Sequence, residues 1–223
     1  LNYLSHYYID NQPGNLYFNS ALFLPDFARN YTRKFDSEIQ GLTPKETQLQ
    51  LGCMAHLNAD KLFHPSSFFK KYNEIIADEL SKYNALLHIP RKWFLAHILF
   101  EMLLDRLIVK SNIAIAHQFY NDLENIDTKI LENFVLHFSN KNVAQLIKNF
   151  EHFCIAKYLY GYAQDENFVY ALSRVFKSGT GYEMSLNDKL DLKRFVILIE
   201  EKHFSEWKLV LSELEEVFKC LSV

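Results

Sequence analysis

His56, Asp60 and His64 recur at intervals of four residues, and so do His97, Glu101 and Asp105. On an α-helix this spacing lines each triplet along one face. Imidazole and carboxylate bind divalent metals and carry protons near neutral pH. Such triplets arise by chance in a chain rich in His, Asp and Glu, so their surroundings decide their weight. From Trp93 to Leu104 only His97 and Glu101 are polar. A helix that is apolar nearly all round is a buried helix, and a buried carboxylate must be paired or bound to a metal. Two readings follow. One is a salt-bridged core, with Glu101 facing Arg106 or Lys61. The other is a metal site inside a helical bundle, with ligands from facing helices. Each stripe spans about 12 Å along its helix, whereas metal–ligand bonds are about 2.0–2.2 Å long. One ion therefore cannot hold all of His56, Asp60 and His64. Either two metals bind, or one sits at His56 and Asp60 while His64 faces substrate.

The elements that must position these residues read as helices throughout. Thr43, Pro44 and Glu46 make a helix start with a capping box, and the helix runs to about His64, before Pro65. Ser66 or Ser67 caps the next helix, which runs to about His88. Pro90 opens the one that carries the second stripe, to about Lys110. A short helix is expected over 2–9, and an aromatic-rich pair over 14–35 interrupted by Pro25. Further helices are expected near 111–124, 127–138, 141–163 and 165–177. Ser178-Gly179-Thr180-Gly181 reads as a loop. Ser185 and Asp188 start a last helix over about 186–220, with a break near His203. No alternating strand pattern or repeat occurs. The expectation is an all-α, single-domain helical bundle over 1–223. With the intervening helix returning the chain, the stripe helices run parallel. They then layer His56 with His97, Asp60 with Glu101, and His64 with Asp105.

Composition narrows the function classes. The 223 residues are 49% hydrophobic and 23% charged, which is a globular balance. A net charge of −3 argues against a duplex nucleic-acid binder, which needs a basic excess. No apolar run is long enough for a membrane span, and the opening residues lack a basic-then-apolar leader. Cys53, Cys154 and Cys220 are odd in number and widely spaced, as reduced thiols of a cytoplasmic protein are.

Four segments, in order over residues 1–110, resemble the bacterial acyl carrier protein phosphodiesterases. They are Asn2-Tyr3-Leu4-Ser5-His6, Leu24-Pro25-Asp26-Phe27, the helix carrying Gly52, His56, Asp60 and His64, and Glu101-Met102-Leu103-Leu104-Asp105. That family is considered a divergent branch of the all-α, HD-type metal-dependent phosphohydrolases. The resemblance implies an HD-like fold and cleavage of 4′-phosphopantetheine from the serine of holo-acyl carrier protein. It implies manganese as the preferred metal, with magnesium, iron and zinc compatible with the same ligands. By matching position, Asp26, His56, Asp60 and Asp105 are the expected metal ligands, and His6 a ligand or phosphate contact. Pro25 stands where the family has a small residue, Arg106 where it often has His, and His97 has no counterpart in it.

Phosphodiester hydrolysis needs an activated water and neutralised phosphoryl oxygens, and a divalent metal supplies both. His64 or His97 is the expected general acid for the departing serine oxygen. Glu101 is the expected partner orienting His56 or His97. Arg29 and Arg106 have the geometry to hold phosphate. The acidic carrier protein requires a local basic patch, with Arg29, Arg33, Lys34, Lys70, Lys71, Arg91 and Lys92 as candidates. Two other readings stand beside this one: an HD-like phosphohydrolase with another phosphorylated substrate, and a non-catalytic helical interaction protein.

Overall fold

The computed structural model describes residues 1–223 except 34, 37, 38, 140 and 220–223, so Lys34 and Cys220 lie outside the described residues. Among the described residues every regular element is helical. In chain order they are α1 (Tyr3–Asp10), α2 (Leu16–Ala21), α3 (Leu24–Phe27), α4 (Pro44–Phe63), α5 (Ser67–Lys82), α6 (Lys92–Ser111), α7 (Ile113–Asn125), α8 (Thr128–Leu136), α9 (Val143–Ala156), α10 (Asp165–Thr180), α11 (Leu186–His203) and α12 (Trp207–Lys219). Short 3-10 turns occupy Asn84–Leu86 and Tyr158–Ala163. The all-α expectation holds, and no described helix is long and apolar enough to cross a membrane.

Local chemistry sets most boundaries. At the start of α4 the Thr43 amide donates to Glu46 Oε2 at 2.8 Å, and the Glu46 amide donates to Thr43 Oγ1 at 3.3 Å. This is the reciprocal capping box. Ser185 and Asp188 repeat it at α11, and Ser66 caps α5 through the Phe69 amide. The last helical stretch breaks between His203 and Trp207, as expected.

Several boundaries differ from expectation: α5 ends at Lys82 rather than about His88, and the pair over 14–35 is confined to α2 and α3, with Pro25 inside the first turn of α3. The stretch over 141–163 divides because Lys157 adopts φ +45° and ends α9. Ser178, Gly179 and Thr180 are helical rather than a loop, and the chain leaves α10 only at Gly181, φ +76°. Gly179 serves packing instead. A Cβ there would lie 2.5 Å from the Phe94 ring, so glycine lets α10 and α6 meet.

The chain forms two compact units, each assembled from two segments. One comprises Leu1–Lys61 and Asn112–Tyr160, the other Leu62–Ser111 and Gly161–Val223. The first unit packs around Phe23, which is fully buried and meets Tyr3, Phe119 and Phe153 at ring-centroid distances of 5.4–5.7 Å. A Tyr7–Asp122–Asn19 hydrogen-bond chain ties α1, α7 and α2 together. The second unit packs around α6, which is buried over most of its length from Leu95 to Val109. Its Phe100 contacts Phe63, Phe69, Tyr72 and Phe204.

Candidate metal centre

His56 lies in the middle of α4 and is almost wholly buried. Its Nδ1 is 2.7 Å from the Leu22 carbonyl. A carbonyl only accepts, so Nδ1 carries the hydrogen and donates it. In the neutral ring, Nε2 is then an acceptor. It faces Asp60 Oδ2 at 3.6 Å and Asp26 Oδ1 at 3.9 Å. An acceptor nitrogen beside two carboxylates is a setting that a cation or a proton stabilises.

His6 arrives from α1 and stacks on His56, with ring centroids 3.6 Å apart and planes 20° apart. It is fully buried. Its Nε2 lies 3.3 Å from Asp60 Oδ1, yet neither ring nitrogen makes a well-formed hydrogen bond. An unsatisfied buried polar group costs about 1–3 kcal/mol, and such orphans mark sites that a metal or ligand completes. Burial, reinforced by the neighbouring His56, lowers the His6 pKa to about 3, so the ring is neutral and able to ligate. Burial pushes Asp60 upward, but the His6 ring nitrogen beside its carboxyl helps hold it well below the usual carboxylate range.

His6, His56 and Asp60 present ligand atoms within 4.8 Å of one another. Bonds of about 2.0–2.2 Å to one ion place adjacent ligand atoms about 3–3.6 Å apart, and the two imidazole nitrogens lie 3.3 and 3.6 Å from the two Asp60 oxygens. Asp26, on α3, completes the rim and is the most exposed member, at 38% against 0–1% for the two imidazoles. The first unit thus joins three helices at one point. Gly52 makes this possible. A Cβ there would lie 2.2 Å from the Phe18 carbonyl oxygen, so glycine lets α4 close on α2 and brings the Leu22 carbonyl to His56.

A second group lies in the second unit. His64 Nε2 and His97 Nε2 lie 3.1 and 3.3 Å from the same oxygen, Glu101 Oε1. Despite burial, which favours the neutral acid, contacts with the two imidazoles help hold Glu101 well below the usual carboxylate range. His64 therefore meets His97 and Glu101, while His56 and Asp60 meet His6 and Asp26. α4 ends at Phe63, so His64 lies in the turn before Pro65, beyond the straight helical stripe that carries His56 and Asp60.

Asp105 is fully buried on α6 and belongs to neither group of converging ligand atoms among the described residues. Arg106 is not a phosphate contact. It is 1% exposed, its Nε and Nη2 donate to Glu200, Nη1 donates to the Tyr162 carbonyl and Nη2 to Asp165. The guanidinium also stacks over Phe168. Four of its five N–H groups have protein acceptors and the side chain is all but buried, so it is not placed to receive a substrate. This network also replaces the anticipated Glu101–Arg106 pair. Arg29 is exposed in the turn after α3, three residues beyond Asp26. Of the basic candidates, Lys71 pairs with Glu213 at 3.0 Å and Arg91 donates to the Gly179 carbonyl.

Sequence reasoning missed the Leu22 carbonyl, because a backbone acceptor has no residue signature. It also missed Phe69, which lies edge-on to both His64 and His97 at 5.2 and 5.0 Å. Its helical spacing reads only as core. Comparisons with family models, with curated proteins and with solved structures find no match.

Proposed function

We propose that this protein is a metal-dependent phosphodiesterase that hydrolyses the 4′-phosphopantetheine–serine linkage of holo-acyl carrier protein. One observation carries the catalytic part: a buried, neutral His6 and the acceptor nitrogen of His56 converge with Asp60, and Asp26 lies at the rim. The choice of substrate rests on the resemblance of residues 2–6, 24–27, 52–64 and 101–105 to the acyl carrier protein phosphodiesterases.

In this reading His6, His56, Asp60 and Asp26 hold a divalent metal, manganese by preference. When bound, the ion supplies a Lewis acid for the phosphoryl oxygens and lowers the pKa of a water. The protein does the rest. The Leu22 carbonyl fixes the His56 tautomer and aims Nε2 inward. Asp60 stays ionised. The exposed side, at Asp26, is where the phosphodiester enters, and Arg29 is the nearest arginine along the chain to receive its phosphate. A cytoplasmic location, as free and buried Cys53 and Cys154 suggest, belongs to the same proposal.

The test is intact-mass spectrometry of holo-acyl carrier protein incubated with the protein and Mn²⁺. Loss of one phosphopantetheine, blocked by EDTA and by Asp60→Asn, is the expected result. An unchanged mass with metal bound discards the carrier protein as substrate and leaves another phosphorylated compound. An unchanged mass with no metal bound overturns the reading.

A further inference from the structure

From the second group of ligands we infer that the protein carries a further site for a divalent transition metal of the zinc class, formed by His64, His97 and Glu101. The inference is independent of the proposed phosphodiesterase activity.

The geometry is that of a two-histidine, one-carboxylate site. The three ligand atoms lie within 4.8 Å of one another. The two nitrogen-to-oxygen separations, 3.1 and 3.3 Å, are the spacings that bonds of about 2.0–2.2 Å to a common ion impose. Both imidazoles present the same nitrogen, Nε2, and their rings lie nearly parallel, 5.3 Å apart and 20° inclined.

Aromatic walls hold them in this pose. Phe69 packs edge-on against both rings, and Phe63 packs against His64 at 5.5 Å. Phe63 and Phe69 are themselves buried against Phe100. Little side-chain freedom is left to lose on binding a metal. His64 and His97 are 37% and 31% exposed, so the outer side faces solvent and leaves room for water or an exchangeable ligand. Two imidazoles with a single carboxylate select zinc, cobalt or nickel over magnesium and calcium, which prefer all-oxygen shells.

The experiment uses the full chain with the first group disabled by Asp60→Asn, and Co²⁺ as the probe. Equilibrium dialysis counts bound cobalt, and the visible d–d absorption reports its coordination. The single variant should retain one cobalt and show d–d bands of a nitrogen-ligated ion. Adding Glu101→Gln, His97→Gln or His64→Gln should each weaken binding at least tenfold and remove the bands. Mg²⁺ in hundredfold excess should not compete. Three amide replacements, each checked for native helicity by circular dichroism, keep the test open if one fails to fold. The inference is overturned if Asp60→Asn binds no cobalt, or if bound cobalt is indifferent to the substitutions that fold. A wild-type protein that binds one cobalt, lost with Glu101→Gln but kept with Asp60→Asn, would support this site while contradicting metal binding at the first.

Discussion

A histidine that gives its Nδ1 hydrogen to a backbone carbonyl has one nitrogen left, and at His56 that nitrogen faces two carboxylates. The type and spacing of His56 and Asp60 were legible, because helical periodicity alone puts them on one face. His6 and Asp26 were legible only through resemblance, since they reach the same point from separate short helices. Arg106 was misread because its partner Glu200 is distant in sequence, and only the fold brings the two together. Another residue missed at this scale is Asp10, at the end of α1. Its Oδ2 is buried with no hydrogen-bond partner among the described residues, and burial raises its pKa from 3.8 to about 6. The carboxylate also lies at the negative end of a helix. The folded state therefore holds this proton more tightly than the unfolded chain. Stability falls as pH rises from about 4 to 6, and the loss is complete above that. Asp10→Asn should gain about 1–2 kcal/mol at pH 7.5, allowing for partial exposure, and almost nothing near pH 4. Urea unfolding at both pH values checks this, and an equal gain at both would contradict it.

At the scale of elements, the boundaries that side chains encode were readable. Thr43 with Glu46 and Ser185 with Asp188 are capping boxes in sequence and in structure. Boundaries set by packing were not readable. Lys157 takes a left-handed conformation without being glycine, and Gly179 sits inside α10 to admit Phe94. Gly52 is the consequential case, because it sets the distance between α2 and α4. Gly52→Ala places a Cβ against the Phe18 carbonyl, and one helix must move. Overpacking of this kind costs about 1–3 kcal/mol. The Leu22 carbonyl and Asp26 follow α2, so the same change should weaken Mn²⁺ binding as well as lower the melting temperature. Isothermal titration beside a thermal melt measures both. A melting temperature that falls with metal affinity unchanged would separate the helix spacing from the site.

For the whole molecule, an all-α chain was predictable from period and punctuation, and its division into two compact units was not. Each unit is built from segments distant in sequence, so no composition shift marks the division. It also explains why the two stripes do different things. The helical pattern put His56, Asp60 and His64 on one line, but the first two serve one unit and the third serves the other. Each unit gathers its own imidazole–carboxylate group, and the first group carries the functional account. The measurement that bears on it most directly is an electron paramagnetic resonance titration of free Mn²⁺ with the wild-type chain and with Asp60→Asn. The account predicts one tightly held manganese in the wild type, at micromolar or better affinity. It predicts its loss in Asp60→Asn with helicity intact. A wild-type chain that leaves the free-Mn²⁺ signal unchanged, or a variant that binds as the wild type does, would contradict it.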